Sequence, residues 1–267
     1  MFMLSISQFI LIFAIAQNTL CVKHASPLGK YLYEDLKCVK SNENFYKCDV
    51  ASDKQCIFEG KRFEVGQEIK DDGIDAYCRS HCSCGEKGTF DCAEDDCFAE
   101  PKPGCRLVDK LDSCCAVVSC EPAKMNCTVE GKTYEEGSSF YPKDQCLSCV
   151  CQKGFSGKFE PPFCQKRRCL EQIFNMPSLA NNCAAVYFRK DLCCPATWVC
   201  NEKQPIVKMS QDDNSKSELS CDFGNVKVPY GHGFETTVRP YSEIVKVKCE
   251  CNLPPFITCL EIPGRNK

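Results

Sequence analysis

Cys56-Ile-Phe-Glu-Gly60-Lys-Arg-Phe63-Glu-Val-Gly66 opens a stretch that the chain uses again as Cys127-Thr-Val-Glu-Gly131-Lys-Thr-Tyr134-Glu-Glu-Gly137. A third start reads Cys221-Asp-Phe-Gly-Asn-Val-Lys-Val-Pro-Tyr-Gly231. In each, a cysteine precedes a glycine by ten positions. Glycine suits tight turns that need positive φ, so the three segments read as one short hairpin used three times. The cysteines that follow keep the same order. The first set is Cys56, Cys78, Cys82, Cys84, Cys92, Cys97, Cys105, Cys114, Cys115 and Cys120; the second is Cys127, Cys146, Cys149, Cys151, Cys164, Cys169, Cys183, Cys193, Cys194 and Cys200. Both hold an early Cys-x-Cys, a five-residue step midway and an adjacent Cys-Cys near the end. The third set keeps only Cys221, Cys249, Cys251 and Cys259.

Composition points the same way. Of 267 residues 27 are cysteine, about a tenth, which is the level of a disulfide scaffold. The apolar fraction of 43% includes those cysteines, and there is a single tryptophan. That is thin for one large core and suits several small modules stapled by disulfides. The formal net charge of -3 gives no bulk attraction to nucleic acid, and no aromatic-plus-basic stretch suits single strands.

Residues 1–21 read as a secretory signal, with Leu4 to Ala16 as its apolar core, too short to span a membrane. Ala14-Ile15-Ala16 fits small-x-small cleavage. Cleavage after Cys21 fits that rule less well but leaves 26 cysteines, an even number. Cleavage after Ala16 leaves Cys21 free or paired to another molecule. No later segment approaches 18 apolar residues, so no membrane anchor is expected. The sequence therefore predicts a secreted, extracellular protein.

The Cys146-x-x-Cys149-x-Cys151 spacing and terminal Cys-Cys pair, within sets of ten cysteines, resemble the von Willebrand factor type C (VWC) module. The resemblance covers residues 56–120 and 127–200, and 221–262 as a half module. The first copy departs slightly, with Cys78-x-x-x-Cys82-x-Cys84, and neither copy has the tryptophan common in the family's first subdomain. The resemblance implies small, disulfide-rich, mainly β modules in tandem, each a short β-sheet subdomain followed by an irregular, disulfide-held one. Spacing alone cannot choose among the pairings ten cysteines allow. The family's pattern implies Cys56–Cys84, Cys78–Cys114, Cys82–Cys92, Cys97–Cys115 and Cys105–Cys120 in the first module. In the second it implies Cys127–Cys151, Cys146–Cys193, Cys149–Cys164, Cys169–Cys194 and Cys183–Cys200. In the half module it leaves Cys221–Cys251 and Cys249–Cys259, with no thiol stranded, as in a self-sufficient first subdomain. Cys38 and Cys48 remain; a short local staple is the simplest reading, a remnant of an earlier subdomain the alternative.

The clearest strand runs through Val245, Val247, Cys249 and Cys251, which alternate with Lys246, Lys248 and Glu250. Asn252-Leu-Pro-Pro255 turns it, and Phe256 to Ile262 returns. By the repeat, Asp75 to Cys84 with Thr89 to Cys92, and Gln145 to Cys151 with Lys158 to Cys164, form the same hairpin. Residues 93–120 and 165–200 show little periodicity and read as irregular chain. The remaining boundaries are an N-terminal segment at 22–55, a junction at 121–126, a flexible Gln/Asp/Ser/Lys-rich linker at 201–220 and a tail at 263–267.

Catalytic chemistry is not expected. His24, His81 and His232 are the only histidines, and no Gly-x-Ser-x-Gly or His-Glu-x-x-His occurs. Zinc on the Cys-x-x-Cys-x-Cys thiols competes with a complete disulfide scheme in an exported chain, so no metal or other cofactor is expected. The acidic run of Asp91, Glu94, Asp95 and Asp96 lacks calcium-loop spacing and reads as a solvated loop. Lys166-Arg167-Arg168 is a candidate glycosaminoglycan contact against a solvated face. Asn126-Cys127-Thr128 is the one N-glycosylation sequon. From Cys56 to Cys120 there are 8 basic and 14 acidic residues, and from Cys127 to Cys200 there are 9 and 7. The two copies therefore present different surfaces and suit different partners. The resemblance implies an extracellular binding protein of the chordin-like and crossveinless-like kind, which modulates growth factors of the bone morphogenetic protein and TGF-beta type. Residues 49–66 and the hairpin 75–92 are the region to test. A matrix component, or a secreted defence or protease-inhibitor-like protein, is the other reading.

Overall fold

The computed structural model describes residues 28–42, 45–50, 55–70, 72–201 and 219–263. The expected signal segment, Cys21 and His24 lie outside these residues, as does nearly all of the expected linker. Among the described residues the fold is small, mainly β and rich in disulfides.

The three opening segments each form an antiparallel hairpin. Cys56–Phe58 pairs with Lys61–Phe63, Asn126–Val129 with Lys132–Glu135, and Ser220–Phe223 with Val226–Pro229. The glycine ten residues on has positive φ each time: 82° at Gly66, 85° at Gly137 and 77° at Gly231. Its N–H donates to the carbonyl of Cys84, Cys151 or Cys251 at 2.7, 2.6 and 2.9 Å. The N–H of that cysteine returns a bond to Gln67, Ser138 or His232. A non-glycine residue would resist this left-handed backbone, so the glycine fixes where the chain turns back onto the Cys-x-Cys strand.

Disulfides lock the same points. Cys56–Cys84, Cys127–Cys151 and Cys221–Cys251 join with Cα atoms 5.6, 5.7 and 5.6 Å apart. Cys82–Cys92, Cys149–Cys164 and Cys249–Cys259 cross-link the adjacent strands at 4.0, 4.0 and 3.9 Å. Cys78–Cys114, Cys97–Cys115 and Cys105–Cys120 close the rest of the first unit. Cys146–Cys193, Cys169–Cys194 and Cys183–Cys200 close the second, and Cys38–Cys48 clasps the N-terminal segment. A closed loop of about 15 residues stabilises by about 3 kcal/mol through chain entropy. Cores this small depend on such bridges.

Two expectations need correction. The second half of the second unit is not irregular. It contains the short helices Glu171–Phe174 and Met176–Ala180 and the strands Ala184–Tyr187 and Thr197–Val199. All four residues of Ala184–Tyr187 are buried, because this strand sits inside a sheet. Nor does the half unit stand apart. Its strand Phe256–Glu261 pairs antiparallel with Val245–Leu253 and parallel with Ala184–Tyr187, in the register Ala185↔Thr258 to Tyr187↔Leu260. A seven-stranded sheet therefore spans both units. By contrast, residues 93–120 hold only the two-stranded ribbon of Arg106–Val108 and Val117–Ser119.

The N-terminal segment completes this assembly. Helix Lys30–Asp35 and the residue after it bury Leu32, Tyr33 and Leu36 almost completely. They pack with Met176, Leu179, Ala185, Tyr187, Leu253 and Phe256, side chains from the second unit and the half unit. Each fully buried leucine contributes roughly 1.5–3 kcal/mol. The Tyr33 hydroxyl donates to the Leu253 carbonyl and accepts from the Phe256 N–H at 3.0 Å, joining the helix to the turn of the half unit.

Candidate binding surface

The region 49–66 is only partly open. Cys56, Ile57 and Phe58 are buried, and Arg168 of the second unit stacks over the Phe58 ring, 5.4 Å from its centroid. The Glu59 carboxylate pairs with Arg168 at 3.1 Å and Lys37 at 3.8 Å, and its N–H donates to Gln172 at 2.8 Å. What remains open there is the outer edge, where Arg62 pairs with Asp49 and Val65 is exposed. In the hairpin that follows, strands Arg79–Cys84 and Phe90–Glu94 pair around a bulge. His81 lies exposed on it, 3.0 Å from Glu68. His232 sits in the half unit beside the Tyr230 carbonyl, so the two described histidines belong to different hairpins.

The basic triplet is engaged within the molecule. Lys166 pairs with Glu34 at 2.7 Å, Arg167 stacks on Tyr141 at 5.0 Å and Arg168 holds Glu59. These contacts draw three elements together instead of presenting one cationic stripe. The Asn126 side chain is exposed at the start of its strand. The sulfurs of Cys78, Cys97 and Cys114 lie within 4.8 Å of one another. All three are in disulfides, and a bridged sulfur is not the thiolate a metal requires.

The junction between the first two units is well defined. Asp109 accepts from the Ser139 N–H at 2.9 Å and donates its own N–H to the Gly137 carbonyl at 2.7 Å. Arg106 donates to the Glu136 carbonyl, and Gln165 to that of Leu111. A cleft of about 280 Å³ lies beside this junction, with Tyr141 and Arg167 on one wall and Lys110 and Leu111 on the other. Along the ribbon, Arg106 and Val108 turn towards the second unit. Leu107 and Val118, which face each other across the strands, turn away and are exposed.

A buried polar node, not anticipated from the sequence, sits behind the surface. Glu171 accepts from the Trp198 indole at 2.9 Å and from Asn175 at 2.7 Å. Burial raises its carboxyl to about 7 despite those two bonds. Asp35, raised by burial too, accepts from the Leu170 N–H at 3.0 Å. Burial also raises the Tyr187 hydroxyl, which has no hydrogen-bond partner among the described residues. The node ties the N-terminal helix to the second unit. Asn175 is a local partner of Glu171, but Trp198 lies 27 positions from it and Leu170 lies 135 from Asp35, so local spacing does not mark the node.

No family model matches the chain, and no solved structure matches it. A pig (Sus scrofa) protein named apomucin is 38% identical over 81 residues. The match covers 28% of this chain and spans 7% of the length of that relative. Thirteen bridges and this similarity fit an extracellular protein. No helix among the described residues is long and apolar enough to cross a membrane.

Proposed function

We propose that the chain is a secreted, multi-module binding protein built from two VWC modules and a half module, and that it modulates a growth factor of the bone morphogenetic protein or TGF-beta class. The observation that carries the reading is the threefold unit of hairpin, positive-φ glycine and Cys-x-Cys strand, held by equivalent bridges in all three places. Such a scaffold offers rigid, preorganised edges for protein contact at little entropic cost. The different charge of the two full modules supports contact with more than one partner.

The test is binding of the oxidised full chain to a panel of bone morphogenetic protein-class growth factors at physiological salt. Saturable binding that is lost on reduction supports the reading, and silence across the panel overturns it. The similarity to apomucin favours one second reading, a component of an extracellular gel or matrix. That reading expects incorporation into secreted polymer without growth-factor binding.

A further inference from the structure

The most exposed large apolar side chain among the described residues is Phe98, at 84%. It lies in the second half of the first unit, directly after Cys97, whose sulfur is within 4.8 Å of that of Cys78 at the foot of the hairpin. Residues 93–104 are exposed throughout the run from Ala93 to Gly104 and form no regular structure beyond the end of the Phe90–Glu94 strand. The run is nonetheless tied down. Cys97 is bonded to Cys115 with Cα atoms 5.4 Å apart, and Cys105 to Cys120 at 3.9 Å. Pro101 and Pro103 restrict it further. The first of these bridges ties the residue before Phe98 to Cys115, two residues ahead of the strand Val117–Ser119, on which Val118 faces Leu107, the pair exposed at 43% and 44%.

Charge surrounds these apolar groups. Between residues 91 and 121 there are 8 acidic and 3 basic residues, a net of -5. Glu94 pairs with Arg79. Asp91, Asp95, Asp96 and Glu100 are exposed and make no ion pair among the described residues. An exposed aromatic on a chain fixed by disulfides loses little freedom when it is covered. Unpaired carboxylates around it favour a partner of opposite charge.

We infer that Phe98, Leu107 and Val118, rimmed by Asp95, Asp96 and Glu100, form the principal docking face for a protein partner that presents an apolar recess ringed by lysine and arginine. The inference rests on the growth-factor reading and adds to it which face is used and what chemistry the partner must show. Phe98 fills the recess, and the carboxylates steer encounter and set the orientation. The face uses the second half of the first unit, where residues 95–104 are exposed and form neither helix nor strand.

The test compares the full chain with Phe98→Ser, with Asp95→Lys/Asp96→Lys and with a control at an exposed apolar residue of the half unit, Ile244→Ser, against each panel growth factor that the full chain binds. Phe98 and the two aspartates are exposed, so folding is checked simply by absence of free thiols and an unchanged near-ultraviolet spectrum. The expected result is a loss of affinity of about tenfold or more for Phe98→Ser, as for a central aromatic anchor. The double aspartate variant is expected to slow association and flatten its salt dependence, while Ile244→Ser binds as the parent does. Unchanged binding by both Phe98→Ser and the aspartate variant overturns the inference and leaves the growth-factor reading standing. Silence of the parent chain across the panel overturns both. Concentration-dependent self-association that Phe98→Ser abolishes assigns the face to a second copy of this chain and likewise overturns the inference.

Discussion

Trp198 donates its indole N–H to the Glu171 carboxylate at 2.9 Å, and both lie in the node that anchors the N-terminal helix. Trp198 is the only tryptophan in the chain, so tryptophan fluorescence reads the surroundings of this one indole, with Glu171 as its hydrogen-bond partner. Burial lifts the Glu171 carboxyl from 4.5 to about 7, so the folded protein holds this proton more tightly than the unfolded chain does. Its contribution to stability is therefore fully present below about pH 4.5 and is lost as pH rises through about 7. Asp35, raised by burial, acts in the same direction. The expected outcome is a change in tryptophan emission with a midpoint near pH 7, absent in Glu171→Gln. A flat emission profile between pH 5 and about 8 counts against the assignment.

Tyr33→Phe is expected to cost about 1–3 kcal/mol. The hydroxyl serves both the Leu253 carbonyl and the Phe256 N–H, and its loss leaves two buried backbone groups without their partner. Chemical unfolding with the bridges intact measures this. A change below a few tenths of a kcal/mol would show that water replaces the hydroxyl.

Two glycines should rank in a defined order. At Gly66, φ is 82° and a Cβ meets nothing within 4 Å, so Gly66→Ala carries only backbone strain, about 1–2 kcal/mol. At Gly233 a Cβ would run into the Cys249 carbonyl oxygen, across the paired strands Gly233–Val238 and Val245–Leu253. Gly233→Ala should therefore cost more than about 3 kcal/mol. Reversed unfolding midpoints for the two variants would refute the packing argument.

The Cys38–Cys48 bridge closes a short loop, and Tyr46, within that loop, packs on Tyr33 at 4.7 Å between ring centroids. Replacing both cysteines by serine is expected to lower stability by about 2 kcal/mol while the other bridges still form. Peptide mapping under non-reducing conditions checks the bridges, and denaturant titration checks the cost.

Different parts of the fold were legible to different degrees. The opening hairpins and the strand after Val245 could be read because glycine spacing and period-two alternation are local signals. Ala184–Tyr187 was missed although it carries a signal of its own. It is a short, continuous apolar run, the mark of a strand buried on both faces, and the alternating pattern of half-buried strands does not apply to it. Helix Lys30–Asp35 was missed because six residues show less than two turns of periodicity. For the surface, the charge contrast between the two copies was visible in composition. The occupation of Phe58 and Glu59 by Arg168 was not, since those groups lie 109 or more positions apart in sequence.

The parallel pairing of Ala184–Tyr187 with Phe256–Glu261 has a consequence for how the molecule can be taken apart. None of the thirteen bridges crosses from the residues before Asn201 to those after Leu219, so among the described residues the half unit is held to the rest by non-covalent contacts. Cut once between Asn201 and Leu219, the chain becomes a heterodimer of two oxidised fragments. They separate in denaturant without any reductant and migrate as one species in native buffer. Mixed after separate preparation, they should complement each other, and the affinity of the two pieces gives the strength of that shared sheet directly.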